Sequence, residues 1–154
     1  MNNTIIALSD SHASSLSELP PALLTALHGA NLIVHAGDHT ETPLLEELRR
    51  IGQVIAVAGN MDSTAIKIQL PHRQLFTFGG ITVGVTHGSG APMGIAGRVR
   101  RMFPENPDLI IFGHSHVRFN KTVDGTHMVN PGPANASYAI ITINDEIRAE
   151  IFGI

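Results

Sequence analysis

The chain has 154 residues, 43% hydrophobic and 15% charged, which is the length of one domain, with enough apolar material for a packed core and too little charge for a disordered chain. A net charge of -3 and an aromatic content of 5% argue against the cationic surface that duplex nucleic acid requires and against a stacking platform for single strands. Cysteine is absent, which excludes disulfides, thiolate zinc sites, iron–sulfur clusters and cysteine nucleophiles; any metal must use nitrogen and oxygen donors, and the chain carries nine histidines.

Met1-Asn2-Asn3-Thr4 has no positive charge and the apolar run after it is too short for a signal-peptide core. No stretch approaches the roughly 18 apolar residues of a membrane span, so a soluble cytoplasmic protein is expected. Residues 4–9 read as a strand and 20–28 as a helix, with Pro20-Pro21 in its first turn and Leu23, Leu24 and Leu27 on its apolar face. A strand at 32–36 follows, then a helix at 41–50 closed by Arg49-Arg50 and Gly52, then a strand at 54–58. The pattern then changes. Residues 75–78 and 81–86 flank Gly79-Gly80 as a hairpin, 91–103 reads as a third helix and 109–112 as a buried strand. The tail is β-rich, with strands 118–123 and 126–129 around Asp124-Gly125 and strands 138–143 and 146–152 around Asn144-Asp145. This succession predicts an α/β fold of two sheets packed face to face with helices outside, in a single domain over 1–154.

Five predicted strands run into polar loops: Asp10-Ser11-His12, Gly37-Asp38, Gly59-Asn60-Met61-Asp62, His87-Gly88 and Gly113-His114-Ser115-His116. Ligands of α/β sheets bind outside the carboxyl ends of strands, so these loops are expected to share one crevice. Asp10, His12, Asp38, Asn60, His87, His114 and His116 offer imidazole nitrogens with carboxylate and amide oxygens. That mixture suits Mn, Fe, Zn or Ni rather than an all-oxygen Ca²⁺ cage. Seven donors exceed the needs of one ion with open positions and suit two ions about 3.5–4 Å apart, the spacing used for in-line displacement at phosphorus.

In order and composition these loops resemble the calcineurin-like metallophosphoesterases, whose signature runs Asp-x-His, Gly-Asp, Gly-Asn-His-Asp/Glu, His and Gly-His-x-His. The short chain and Asn130-Pro131-Gly132 resemble its small prokaryotic YfcE-like phosphodiesterase branch. The resemblance implies a β-sandwich flanked by helices, a four-layer αββα metallophosphoesterase fold. It also implies two divalent transition-metal ions, manganese first. One would be held by Asp10, His12, Asp38 and His116, the other by Asp38, Asn60, His87 and His114, with Asp38 bridging. The implied activity is hydrolysis of small phosphodiesters by a metal-bridging hydroxide, with Asn60, His87 and His114 orienting the developing oxyanion. Homo-oligomerisation is left open. The alternatives are a non-catalytic protein-binding scaffold on the same fold, as in the retromer scaffold subunit, and a phosphomonoesterase; no arginine sits in any of the five loops, which weighs against the latter.

Two departures stand out. Met61 occupies the place of the histidine that the wider superfamily uses as a candidate general acid, and Pro133-Ala134-Asn135 follows Asn130-Pro131-Gly132 without the arginine often found in the small branch. Among the other histidines, His35 is expected in the core or behind a ligand, and His39 on an exposed loop with a substrate contact as the weaker reading; His28, His72 and His127 are expected at the surface. Arg98, Arg100 and Arg101 are expected on a solvated helix face, with a phosphate contact as the weaker alternative.

Overall fold

Continuous apolar runs in the central strands give both faces of the sheets something to bury, and the resulting layers fix where the loops meet. The computed structural model describes residues 3–154. The first sheet has the order β10-β9-β1-β2-β3, built from β1 (Asn3–Leu8), β2 (Leu32–His35), β3 (Val54–Ala56), β9 (Ser137–Ile143) and β10 (Ile147–Gly153). The second has the order β4-β5-β6-β8-β7, from β4 (Arg73–Phe78), β5 (Ile81–Thr86), β6 (Leu109–Ile111), β7 (Phe119–Val123) and β8 (Thr126–Asn130). Strands β1, β2 and β3 are mutually parallel, as are β5, β6 and β8, and antiparallel strands close both edges of each sheet except at β3.

Ile5 and Ala7 of β1 face Val83, Val85, Ile111 and Val129 of the second sheet in the central core, while Ile6 and Leu8 turn outward. That outer face is covered by α1 (Pro21–His28) through Leu23 and Leu27 and by α2 (Thr42–Ile51) through Leu44 and Leu48. On the far side α4 (Ile95–Arg101) packs Ile95 and Val99 with Phe103 against Ile110, Phe112 and Met128. The order is helix, sheet, sheet, helix, the four-layer sandwich expected from the strand pattern. Among the described residues no helix is long and apolar enough to cross a membrane.

Three local differences have physical causes. A helix missed in the sequence, α3 (Thr64–Gln69), starts where the Ser63 side chain accepts the Ile66 N–H and buries Ile66 with Leu45, Ala58 and Leu70; its six residues are too few for a clear periodic signal. The helix predicted over 91–103 begins only at Ile95, because Gly94 lies in the left-handed region at φ 76°. The last hairpin turns through three residues rather than two, since Ile143 pairs directly with Ile147 and Glu146 belongs to the turn.

Candidate metal centre

Because the central strands of each sheet are parallel, their carboxyl ends point to one edge of the sandwich, and neighbouring loops there are tied together within each sheet. Asp10 N–H donates to Gly37 O (2.9 Å), His12 N–H to Asp38 O (3.2 Å) and Gly113 N–H to His87 O (3.1 Å). The His87 ring spans the two sheets, donating Nδ1–H to Ala36 O at 2.8 Å; a carbonyl only accepts, so that tautomer points Nε2 into the site.

The two carboxylates are oriented alike. Oδ2 of Asp10 accepts from Ser9 Oγ (2.7 Å) and His114 N (3.2 Å), which leaves Oδ1 facing His116 Nε2 at 3.4 Å and His87 Nε2 at 3.7 Å. Oδ1 of Asp38 accepts from Met61 N (2.7 Å), which leaves Oδ2 at 3.2 Å from His87 Nε2. Asn60 Oδ1 lies 3.1 Å from the same nitrogen. Donor atoms of Asp10, His12 and His116 lie within 4.8 Å of one another, as do those of Asp10, Asp38 and His87. Asp10 therefore belongs to both triads, whereas the resemblance assigns the shared position to Asp38. The His114 ring stands 5.1 Å from His87, outside these triads; its Nε2–H donates to Gly90 O at 3.0 Å, so Nδ1 carries its lone pair.

These residues fit divalent cations on grounds of their own. Asp10 Oδ1 is buried without a hydrogen-bond donor, which is costly for a carboxylate oxygen unless a cation faces it. Asp10, His12, Asp38, His114 and His116 all have positive φ, between 45° and 72°, a conformation that costs about 1–2 kcal/mol per residue and that clusters at functional sites. Close approach is built in at Gly59 and Gly113: a Cβ on the first would collide with Asp38 Oδ1, and on the second would lie 2.9 Å from Asp10 Oδ2.

The electrostatics of the pair agree. Burial pushes the Asp38 carboxyl up, but the His87 hydrogen bond, the His87 charge and the Met61 N–H outweigh it and hold the group below its ordinary range. Burial likewise pushes His87 down, and the hydrogen bond to Asp38 with the charges of Asp10 and Asp38 carries it above.

Behind the site lies a layer that sequence reasoning largely missed. Asp62 accepts three backbone N–H groups, from Asp38 (3.0 Å) and Gly59 (2.7 Å) at Oδ2 and from Thr40 (2.9 Å) at Oδ1, and so fixes two of the loops. Asn130 does the same for the last loop, donating to Gly113 O (3.2 Å) and Ser115 Oγ (3.1 Å) while accepting the Gly132 N–H. His35 is wholly buried, as expected; Gly37 N–H donates to its Nδ1, so Nε2–H donates to Ser11 Oγ at 2.9 Å.

Other expectations are corrected. His39 is neither exposed nor able to touch substrate: it is fully buried, donates Nε2–H to Val57 O at 3.1 Å and stacks on His35 at 3.6 Å. Asp38 and Thr40 on either side both have positive φ, and this double turn carries His39 inward. Arg100 is buried rather than solvated, held by Phe103 O, Asn106 Oδ1 and Asp124 O, and Arg98 donates to the carbonyls of Ser89 and Met93. His127 is half-buried and donates to or accepts from Asn120 Oδ1 at 2.6 Å through Nε2, while His28 and His72 are exposed as expected. An arginine does reach the Asn130-Pro131-Gly132 turn, from elsewhere in the chain: Arg118 donates to Ala136 O at 3.3 Å and lies alongside Gly132.

Burial, with mutual repulsion and that of neighbouring histidines, depresses His35 well below the ordinary 6.5; burial also depresses His39. The unfolded chain therefore binds protons that the folded chain refuses below about 6.5, and the two rings' contribution, complete above that value, is lost as pH falls. The limiting slope is about 2.7 kcal/mol per pH unit for both rings. His87 acts in a separate window, because its raised folded value makes its contribution complete below 6.5 and lost as pH rises. Urea denaturation of metal-free protein between pH 7 and 5 is expected to show this loss, and His35→Gln to remove the larger share of it, because Asp62, Asp38 and the Val57 carbonyl oppose the depression of His39; a flat profile would contradict the assignment of neutral buried rings.

Compared with known proteins, residues 4–146 match the family profile of the calcineurin-like phosphoesterase superfamily domain. A protein of Methanothermobacter thermautotrophicus named as a probable metallophosphoesterase is 35% identical over 127 residues, 81% of this chain and 73% of that protein. One of Methanocaldococcus jannaschii with the same designation is 30% identical over 156 residues, 96% of this chain and 79% of that protein. Among solved structures, a Thermotoga maritima protein superposes with a TM-score of 0.79 at 29% identity, covering 99% of each chain. Two others share the fold at lower identity. Zinc-complexed Vps29 of Entamoeba histolytica gives 0.74 at 19% over 97% of this chain and 98% of that one, and an archaeal phosphodiesterase gives 0.74 at 18% over 97% and 99%.

Proposed function

Since the chain belongs to the calcineurin-like phosphoesterase superfamily, we propose that it hydrolyses small phosphodiesters at two divalent cations held by its strand-end residues. Asp10, His12, Asp38 and His116 would hold one cation and Asp38, Asn60, His87 and His114 the other, with manganese the first choice. The observation that carries this reading is the matched setting of the two carboxylates. Each has one oxygen tied by N–H or O–H donors and the other turned toward imidazole nitrogens, so neither has to reorganise to bind a cation.

Bound cations supply a lowered water pKa and positive charge for the phosphoryl oxygens. The chain's own residues do the positioning. His87 is locked by Ala36 O in the tautomer that presents Nε2, and Asn60, whose Oδ1 faces that nitrogen, keeps its Nδ2 hydrogens for a phosphoryl oxygen. A diester is favoured over a monoester because Arg98, which reaches the loop after β5, is spent on the backbone carbonyls of Ser89 and Met93, which leaves a dianionic group without that guanidinium. A scaffold role, suggested by the shared fold with Vps29, needs none of the donors; all seven are present here with competent side chains.

Metal analysis after reconstitution with Mn²⁺, alongside a panel of diesters, cyclic nucleotides and monoesters, tests the reading. The expected result is two ions per chain, diester hydrolysis abolished by chelation and its return on adding Mn²⁺. Well under one ion per chain with no gain from Mn²⁺ would overturn it.

A further inference from the structure

A cavity of 320 Å³ opens directly beside the candidate centre, lined by Ala58, Asn60, Lys67, His72, His87 and Met102 among others. Its size lies at the small end of the range of about 300–1,000 Å³ typical of small-molecule sites, enough for a sugar ring and its substituents. Two of its lining residues, Asn60 and His87, belong to the centre itself, so a group bound there would be attached to the phosphorus held by the same residues.

Lys67 is the cation of this lining. It sits on α3, whose position is set by the buried Ile66 and Leu70 and by the Ser63 cap, so the root of the side chain is held rigidly while its end is exposed. The ion pairs among the described residues engage Arg73, Arg148 and histidines, and not Lys67. Ala58 and Met102 give the rest of the cavity apolar surface on which a ring can rest.

We infer that this cavity is the subsite for one ester group of the substrate, and that Lys67 selects phosphodiesters in which this group carries its own anionic substituent. The inference rests on the diesterase reading and narrows its substrate class to an alcohol with a ring-sized body and a phosphate or carboxylate. A charge-assisted contact to Lys67 then distinguishes such substrates from uncharged ones.

The test compares kcat/KM of the Mn²⁺-loaded protein for three substrates: the p-nitrophenyl ester of thymidine 5′-phosphate, its 3′-phosphate and its 3′-O-carboxymethyl analogue. About a tenfold preference for the charged substrates is expected, lost in Lys67→Met and kept in Lys67→Arg. A preference confined to the 3′-phosphate supports the subsite and assigns it to phosphate; preference for both supports it for anions generally. Equal rates on all three, or a preference untouched by Lys67→Met, would overturn the subsite. Hydrolysis of bis(p-nitrophenyl) phosphate reports separately on the diesterase reading. A readout free of turnover is NMR titration of Zn²⁺-loaded protein with thymidine 3′,5′-bisphosphate against thymidine 5′-phosphate. The bisphosphate is expected to bind more tightly and to shift the Ala58 and Met102 methyl resonances; equal affinity, or shifts elsewhere, would overturn the proposal even in a protein without activity.

Discussion

Asp38→Asn is expected to lower diester turnover by at least about a hundredfold, the upper end of what disturbing a ligand's surroundings costs, and to lower metal content with it. The amide oxygen of asparagine can still accept the Met61 N–H, so the loop should keep its shape. The amide nitrogen would then replace Oδ2 opposite His87 Nε2, 3.2 Å away, where the reading requires an anion. On the proposed reading Asp38 would touch both cations, and its loss would leave them facing each other without their shared charge. The loss should therefore exceed that from Asp10→Asn or His116→Ala. The comparison is informative in either direction because Asp10 is the residue common to both donor triads. Kinetics and metal analysis of the three variants decide: a larger loss from Asp10→Asn would move the bridge to Asp10, and near-normal turnover in Asp38→Asn would remove Asp38 from that role.

Turnover is also expected to depend steeply on the leaving group, with aryl diesters such as bis(p-nitrophenyl) phosphate cleaved about 10²–10⁴-fold faster than alkyl diesters. That range is what a general acid contributes, and the thioether of Met61 cannot donate a proton. The structure removes two substitutes. Both oxygens of Asp62 are taken by backbone N–H groups, and His39 is sealed beneath the loop with its Nε2–H on Val57 O. Met61 is 63% exposed beside Asn60, so a histidine there would fit without disturbing the core, and the N–H that holds Asp38 would remain. Log rate plotted against leaving-group pKa for the natural protein and Met61→His is the measurement. The variant should gain selectively on poor leaving groups, and a flat plot for the natural protein would mean that another donor already serves.

Much of this was legible in the sequence because the signals are local or chemical. The Gly79-Gly80 and Asp124-Gly125 turns declared themselves, and all four residues have positive φ, as tight hairpins require. The candidate donors were visible because carboxylates, an amide and imidazoles directly after apolar strands have few packing uses. What escaped depends on contacts distant in sequence or on backbone states without a side-chain signature. Nothing in the letters marks His12 or His114 as left-handed. The burial of His39 follows from the double turn around it, and the role of Asp62 from N–H groups up to 24 residues away. The motif Gly59-Asn60-Met61-Asp62 did contain that acid, and the N–H groups of a neighbouring loop were the partner to look for.

The pairing of the central strand β1 has a consequence for the order in which the protein can be made. All seven candidate donors have left the ribosome once His116 has, but β1, which leads into Asp10 and His12, gains its second neighbour only with β9, where Asn3 pairs with Ile143 and Ala7 with Ala139. Until then β1 is an open edge, and unsatisfied N–H and C=O groups along it are free to pair with another nascent chain. The donors are thus synthesised well before the sheet that aims them, and the final turn of assembly belongs to a segment that contributes no ligand.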